Sequence, residues 1–230
     1  VTDAEHPLPA PPPIPLKLRR SARARRITLR ISQLDGRVTL TLPKRIALAE
    51  ALDFAREKEG WIRDHLAARP EEVAVCHGVS LPVEGARHAV APGQGRGVTL
   101  TAGGLHVPGP AERVGPRLAG YLKQRARDRL AAACDGYAAR LGRPYARLTL
   151  RDTRSRWGSC TSDGGLMFSW RLIMAPPEVL DYVAAHEVAH LAQMNHSPAF
   201  WAEVTRLYGH YEAPRRWLRE RGQELHRYRF

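Results

Sequence analysis

A chain of 230 residues is long enough to bury a full core, which excludes a mini-protein held together only by staples. Its three cysteines, Cys76, Cys134 and Cys160, are far apart with no CxxC pair, excluding a disulfide framework and a cysteine zinc ribbon; with no apolar run of roughly 18–20 residues, we expect a soluble, cytoplasmic protein that makes no membrane contact. The net charge of +13 points to a polyanionic partner, but only four of the 36 basic residues are lysines, an imbalance that a GC-rich genome produces through its codons.

Residues 1–15 contain six prolines, which removes backbone donors and predicts a disordered lead-in. The charge then clusters: Lys17, Arg19, Arg20, Arg23, Arg25, Arg26 and Arg30 have no acidic residue among them. This is either a nucleic-acid or nucleotide contact through Arg19, Arg20, Arg23, Arg25 and Arg26, or a strand edge protected by charge. Residues 27–32 and 37–43 alternate apolar and polar side chains around a turn at Asp35-Gly36 and predict a β-hairpin. Residues 46–68 shift to helical spacing through Ala51, Phe54, Ala55, Ile62 and Leu66, with Gly60 weakening the middle and Pro70 closing the segment.

Between 73 and 110, short valine-containing runs separated by glycines predict several short strands. A long helix over 111–141 carries Leu118, Leu122, Ala126, Leu130, Cys134 and Tyr137 on one side and ends at Gly142. Strands over 147–152 and 166–172 flank a turn through Trp157-Gly158-Ser159, and helices over 176–194, 198–208 and 213–225 follow. The shift in composition near 110 divides the chain into a β-rich region with one helix, 16–110, and an α+β core, 111–230.

The chemistry concentrates in His186-Glu187-Val188-Ala189-His190. Residues four apart share a helix face, so both imidazoles can reach one zinc ion while Glu187 stands beside the water it activates. Two ionisable rings in an otherwise apolar helix are costly without such a partner. A catalytic zinc takes three protein ligands and keeps a fourth position open. His196 is the leading third ligand, because Met194-Asn195 can end the helix with Asn195 left-handed and Ser197-Pro198 can start the next. Glu203 competes for that place, or hydrogen-bonds a histidine ligand; Cys160 is an isolated thiol, more at home in a core.

Three segments carry a resemblance: RDTRSRWGSC at 151–160, SWRLIMAPPEVLDYVAAHEVAHL at 169–191 and NHSPAFW at 195–201. Together they resemble the YgjP-like metallopeptidase domain, related to the SprT and Spartan proteases. The resemblance implies a zincin-like, small gluzincin-type core, with the HExxH helix beside a small antiparallel sheet. It implies zinc on His186, His190 and His196, and Glu187 as the catalytic base. The histidine spacing also matches the metzincins, but Gln193 replaces their glycine and no methionine follows residue 194. Within the resemblance Arg154, Arg156, Trp157, Gly158 and Ser159 form a strand that binds an extended substrate, unless Trp157 is simply core and the arginines solvated. Tyr208, His210 and Tyr211 are candidates for contact with the reaction's oxyanion.

A zinc metallopeptidase, expected as a monomer and acting on proteins or peptides associated with nucleic acid, is the leading function. The alternative is a metal-dependent nucleotide pyrophosphohydrolase in which Arg154, Arg156 and Arg171 clamp a triphosphate. A binding module with structural zinc fits less well, because such a site closes its fourth position.

Overall fold

In the computed structural model, which describes residues 4–8, 12–32, 36–67 and 71–230, the chain divides between Glu71 and Glu72 into two units. The first is a four-stranded sheet ordered β1-β2-β4-β3: β1 Ala4–Leu8, β2 Ile14–Ser21, β3 Thr28–Ile31 and β4 Val38–Pro43. The expected hairpin is β3 antiparallel to β4, while β2 runs parallel to β4. Asp35 of the expected turn lies outside the described residues; Gly36 has φ of 68°, the left-handed conformation that glycine adopts without penalty. Ile14, Leu16 and Leu18 of β2 alternate inward with Val38, Leu40 and Leu42 of β4.

Two expectations fail in this unit. Residues within 1–15 that we expected to be disordered form β1 and begin β2, paired in register Pro7 with Pro15 and Leu8 with Ile14. Proline is tolerated there because β1 is an edge strand and Pro15 stands near the start of β2. The helical stretch over 46–68 is two helices, α1 Leu48–Glu57 and α2 Glu59–Ala67, interrupted at Lys58 and burying Ala51, Ala55 and Ile62. Pro70 and residue 68 lie outside the described residues.

The second unit begins with β5 Val73–Ala74 and a sheet ordered β6-β7-β9-β8, built from β6 Ser80–Val83, β7 Ala86–Pro92, β8 Thr99–Thr101 and β9 Gly104–Val107. Leu81, Val83, Val90, Leu105 and Val107 join the same buried cluster as the helices that follow. The unit boundary therefore falls at 71/72, ahead of these strands, and not near 110. Helix α3, Val114–Leu141, buries Leu118, Leu122, Ala126, Leu130 and Cys134 and stops at left-handed Gly142, whose N–H reaches the Ala138 carbonyl at 2.9 Å.

Next come β10 Arg147–Arg151, β11 Gly158–Cys160 and β12 Gly165–Ser169, in the order β10-β12-β11. Gly158 and Ser159, expected in a turn, are paired strand residues; the second strand stops at Ser169, and Trp170–Met174 is a 3-10 helix. The expected antiparallel sheet is mixed, because β10 runs parallel to β12 and only β11 is antiparallel. Helix α4, Pro177–Ala189, packs against α3 with Val179, Leu180, Val183, Ala184, Ala185 and Val188 buried, the profile of a helix covered nearly all round. It is followed by α5 Pro198–Tyr208, α6 Glu212–Arg221, a 3-10 segment Gly222–Arg227 and β13 Tyr228–Arg229, which pairs with β5. No described helix is long and apolar enough to cross a membrane.

Arg171 ties the C-terminal segment to the sheet. Its guanidinium grips Asp152 at 2.6 and 3.1 Å and donates to the carbonyls of Leu225 and Tyr228 at 2.9 and 3.0 Å. The His226 ring lies 5.2 Å from that of Trp157. Burial and the Arg171 charge, opposed by Asp152, push the His226 imidazole down to about 4 from the ordinary 6.5. Between those values the unfolded chain holds a proton that the folded chain refuses, so stability falls as pH drops through that window. Replacing His226 with Gln should flatten that part of the melting profile; an unchanged slope would remove His226 as the cause.

Candidate active site

Helix α4 starts with Pro177 at its first turn, where the missing N–H is harmless, and ends at His190, earlier than the spacing predicted. Short-range bonds close its end: Leu191 N–H to the Val188 carbonyl at 3.0 Å and Ala192 N–H to the Ala189 carbonyl at 3.0 Å. Asn195 is not left-handed, since Glu84 is the one described non-glycine residue with positive φ. It turns the chain with its side chain, whose Oδ1 accepts the Ser197 N–H at 3.3 Å. Ser197 then caps α5, its Oγ accepting the Phe200 N–H at 3.4 Å, with Pro198 at the first turn.

This turn returns His196 to α4. Nε2 of His186 and Nε2 of His196 are 3.1 Å apart, and one nitrogen from each of His186, His190 and His196 lies within 4.8 Å of the others. Two nitrogens on a tetrahedral zinc stand about 3.3 Å apart at Zn–N distances of about 2.0–2.1 Å, so the convergence suits a metal. His190 Nδ1 donates to the Gln193 carbonyl at 2.9 Å, which leaves Nε2 free to ligate. Burial, with the neighbouring His190 and His196, pushes His186 down to about 3, and burial lowers His190 as well. Neutral imidazoles are the form that binds a dication. Phe200 closes the floor, its ring 4.4–4.9 Å from all three imidazoles.

Glu187 points elsewhere, against the sheet. It is 5% exposed, and burial, opposed by Arg156, pushes its carboxyl up to about 8. A Cβ on Gly158 would lie 2.5 Å from Glu187 Oε1, so only glycine lets β11 rest on this carboxyl group. The other edge of β11 pairs with no strand among the described residues.

The remaining expected site residues separate. Trp157 is half-buried on His226 and the backbone of Gly222, where a Cβ would sit 3.0 Å from its ring, so it packs the C-terminal turn. Ser159 faces the opposite side of the sheet from Gly158, and Arg154 and Arg156 are exposed. Tyr208 donates its hydroxyl to the Glu178 carbonyl at 2.9 Å, away from the histidines. Tyr211 stacks on Trp201 with centroids 5.0 Å apart and borders the site, whereas His210 is exposed with no contact to the three histidines. Glu203 pairs with Arg206 at 2.9 Å, and Cys160, pushed up to about 11 by burial and the Glu187 charge, donates to the Thr161 carbonyl; neither joins the histidine cluster.

Arg171 is consumed by Asp152 and two carbonyls, which removes it from the expected triphosphate clamp. Arg19, Arg20, Arg23, Arg25 and Arg26 are exposed on or just after β2, with Arg20 donating to the carbonyls of Lys44 and Ile46. Sequence reasoning missed Arg215. Its guanidinium lies 4.6 Å over the Trp201 ring, and its charge helps to hold His186 neutral. The one signal for it was its place four residues after Tyr211, one turn along α6.

The model of the YgjP-like metallopeptidase domain matches residues 25–221. No curated protein matches. Among solved structures, the metallopeptidase zymogen abylysin of Pyrococcus abyssi is similar at 21% identity over 42% of this chain and 95% of its own, with a TM-score of 0.34. With the family model spanning most of its length, the chain belongs to the YgjP-like metallopeptidase family and is a metal-dependent peptidase.

Proposed function

We propose that the chain is a zinc peptidase with a zincin-like core, in which His186, His190 and His196 hold the metal and Glu187 is the general base. The observation that carries this reading is the meeting of three imidazoles, two of them held neutral by burial, beside a buried carboxyl group that is not part of their cluster. Zinc held by these three histidines would supply Lewis-acid chemistry, lowering the pKa of a water toward about 7 and polarising a carbonyl. Glu187 takes the proton from the attacking water and passes it to the leaving amine nitrogen. Its carboxyl sits near 8 in the metal-free protein, and a nearby dication favours the ionised form needed to accept that proton.

An extended polypeptide is the fitting substrate. The free edge of β11 offers backbone groups for pairing, and Gly158 brings that strand onto Glu187. The exposed arginines of the N-terminal unit support proteins associated with nucleic acid as natural substrates. The test is cleavage of an unstructured protein by zinc-loaded enzyme, with and without single-stranded DNA, beside phosphate release from nucleoside triphosphates. Proteolysis lost on chelation and restored by zinc is expected; metal-dependent phosphate release without proteolysis would overturn the reading.

A further inference from the structure

The face of the β10-β12-β11 sheet opposite Glu187 carries a groove of about 370 Å³. Across it the register aligns Thr149, Met167 and Ser159, one from each strand. Three arginines line it, but they are not equivalent. Arg147 is held by Asp163 at 2.8 Å. Arg151 and Arg156 are exposed, and neither guanidinium has a hydrogen bond or ion pair among the described residues, while the Arg156 charge also reaches Glu187.

The hydroxyls divide in the same way. Thr149, Thr153 and Thr161 donate to the carbonyls of Leu166, Arg156 and Gly165. Ser155 and Ser159 have no such commitment among the described residues. The uncommitted donors of the groove are therefore two guanidiniums and two hydroxyls, a set that suits carboxylates.

We propose that this groove binds an acidic stretch of the polypeptide substrate. The assignment rests on the peptidase reading above and names the substrate class it implies. A peptide paired along the free edge of β11 places alternate side chains on the two faces of the sheet. One set faces Glu187; the other lies on the groove side, beside Ser159. No aromatic ring lines the groove, so bases of a single-stranded nucleic acid find no stacking platform there.

Two measurements on the zinc-loaded full chain test this. Binding is read in Glu187→Gln protein, which holds peptide without cutting it, by anisotropy of a labelled peptide with Glu at alternate positions and of its Gln counterpart. Tighter binding of the Glu peptide is expected, weakened about tenfold in protein also carrying Arg151→Gln and Arg156→Gln, the loss of one or two charge-assisted bonds. Equal binding of the two peptides, or displacement of the Glu peptide by oligo(dT) at lower concentration than by its unlabelled form, would overturn it. In otherwise wild-type enzyme the ratio of kcat/KM for Glu over Gln peptide should fall toward one in the Arg151→Gln, Arg156→Gln variant; a ratio that does not change rejects the groove. If neither peptide is cut, the peptidase reading fails, while the binding measurement still decides the groove.

Discussion

Replacing Glu187 by Gln should lower peptide hydrolysis by about 10²–10⁴-fold while leaving metal content and fold intact, the range expected when a general base is removed. The amide has the shape of the carboxyl group and fits the same space against Gly158, but it cannot accept a proton from water. Because Glu187 is not one of the three clustered nitrogen donors, zinc retention is expected. A second signature appears in metal-free protein. With Glu187 raised from 4.5 to about 8, the folded state binds a proton that the unfolded state releases between those values, so its stabilising contribution is lost as pH rises through that window. The glutamine variant lacks this loss, and its melting temperature should gain on wild type from about pH 4.5 to 8. Undiminished hydrolysis by the variant would show that another group moves the proton.

Gly158→Ala is the second large effect. The added methyl carbon would lie 2.5 Å from Glu187 Oε1 and 2.6 Å from its Cγ, well inside contact distance. Neither side yields easily. Strand β11 is bonded to β12 through Gly158 opposite Phe168, and α4 is packed against α3. We expect destabilisation of about 1–3 kcal/mol, typical of overpacking, and a fall in kcat/KM of about 10²-fold, since a displacement near 1 Å misplaces the base. Thermal unfolding and steady-state kinetics on the zinc-loaded variant read both. Adding Glu187→Ala should recover much of the lost stability, because the two side chains compete for one space. If Gly158→Ala folds and cuts as wild type does, β11 does not fix the position of Glu187.

The clustered histidines were legible because their geometry is local. HExxH needs only the helical repeat to put His186 and His190 on one face, and His196 follows one short turn later. Helix α3 announced itself for the same reason, with a long apolar stripe and a glycine at its end. Features set by distant pairing were hidden. The parallel pairing of β10 with β12, and hence the mixed sheet, depends on how the chain crosses between them. In residues 1–15 the count of prolines masked the alternation of Ile14, Leu16 and Leu18, which becomes decisive only when Val38, Leu40 and Leu42 supply a partner.

Arg171 and Trp157 taught the same lesson at the site. Both stand in segments that carry the family resemblance, yet apart from Asp152, which Arg171 also grips, their partners lie at 222–228, more than 50 residues on. Gly158 was the opposite case. A glycine inside a strand signals close approach of another group, and only the fold reveals that the group is Glu187.

The most direct measurement is zinc content per chain in wild type and in His190→Ala. One zinc per chain in wild type and less than about a tenth of that in the variant is the expected result, since two remaining ligands leave a catalytic site one short. Full occupancy in His190→Ala, or none in wild type exposed to zinc, would contradict the assignment of this histidine cluster as the metal centre.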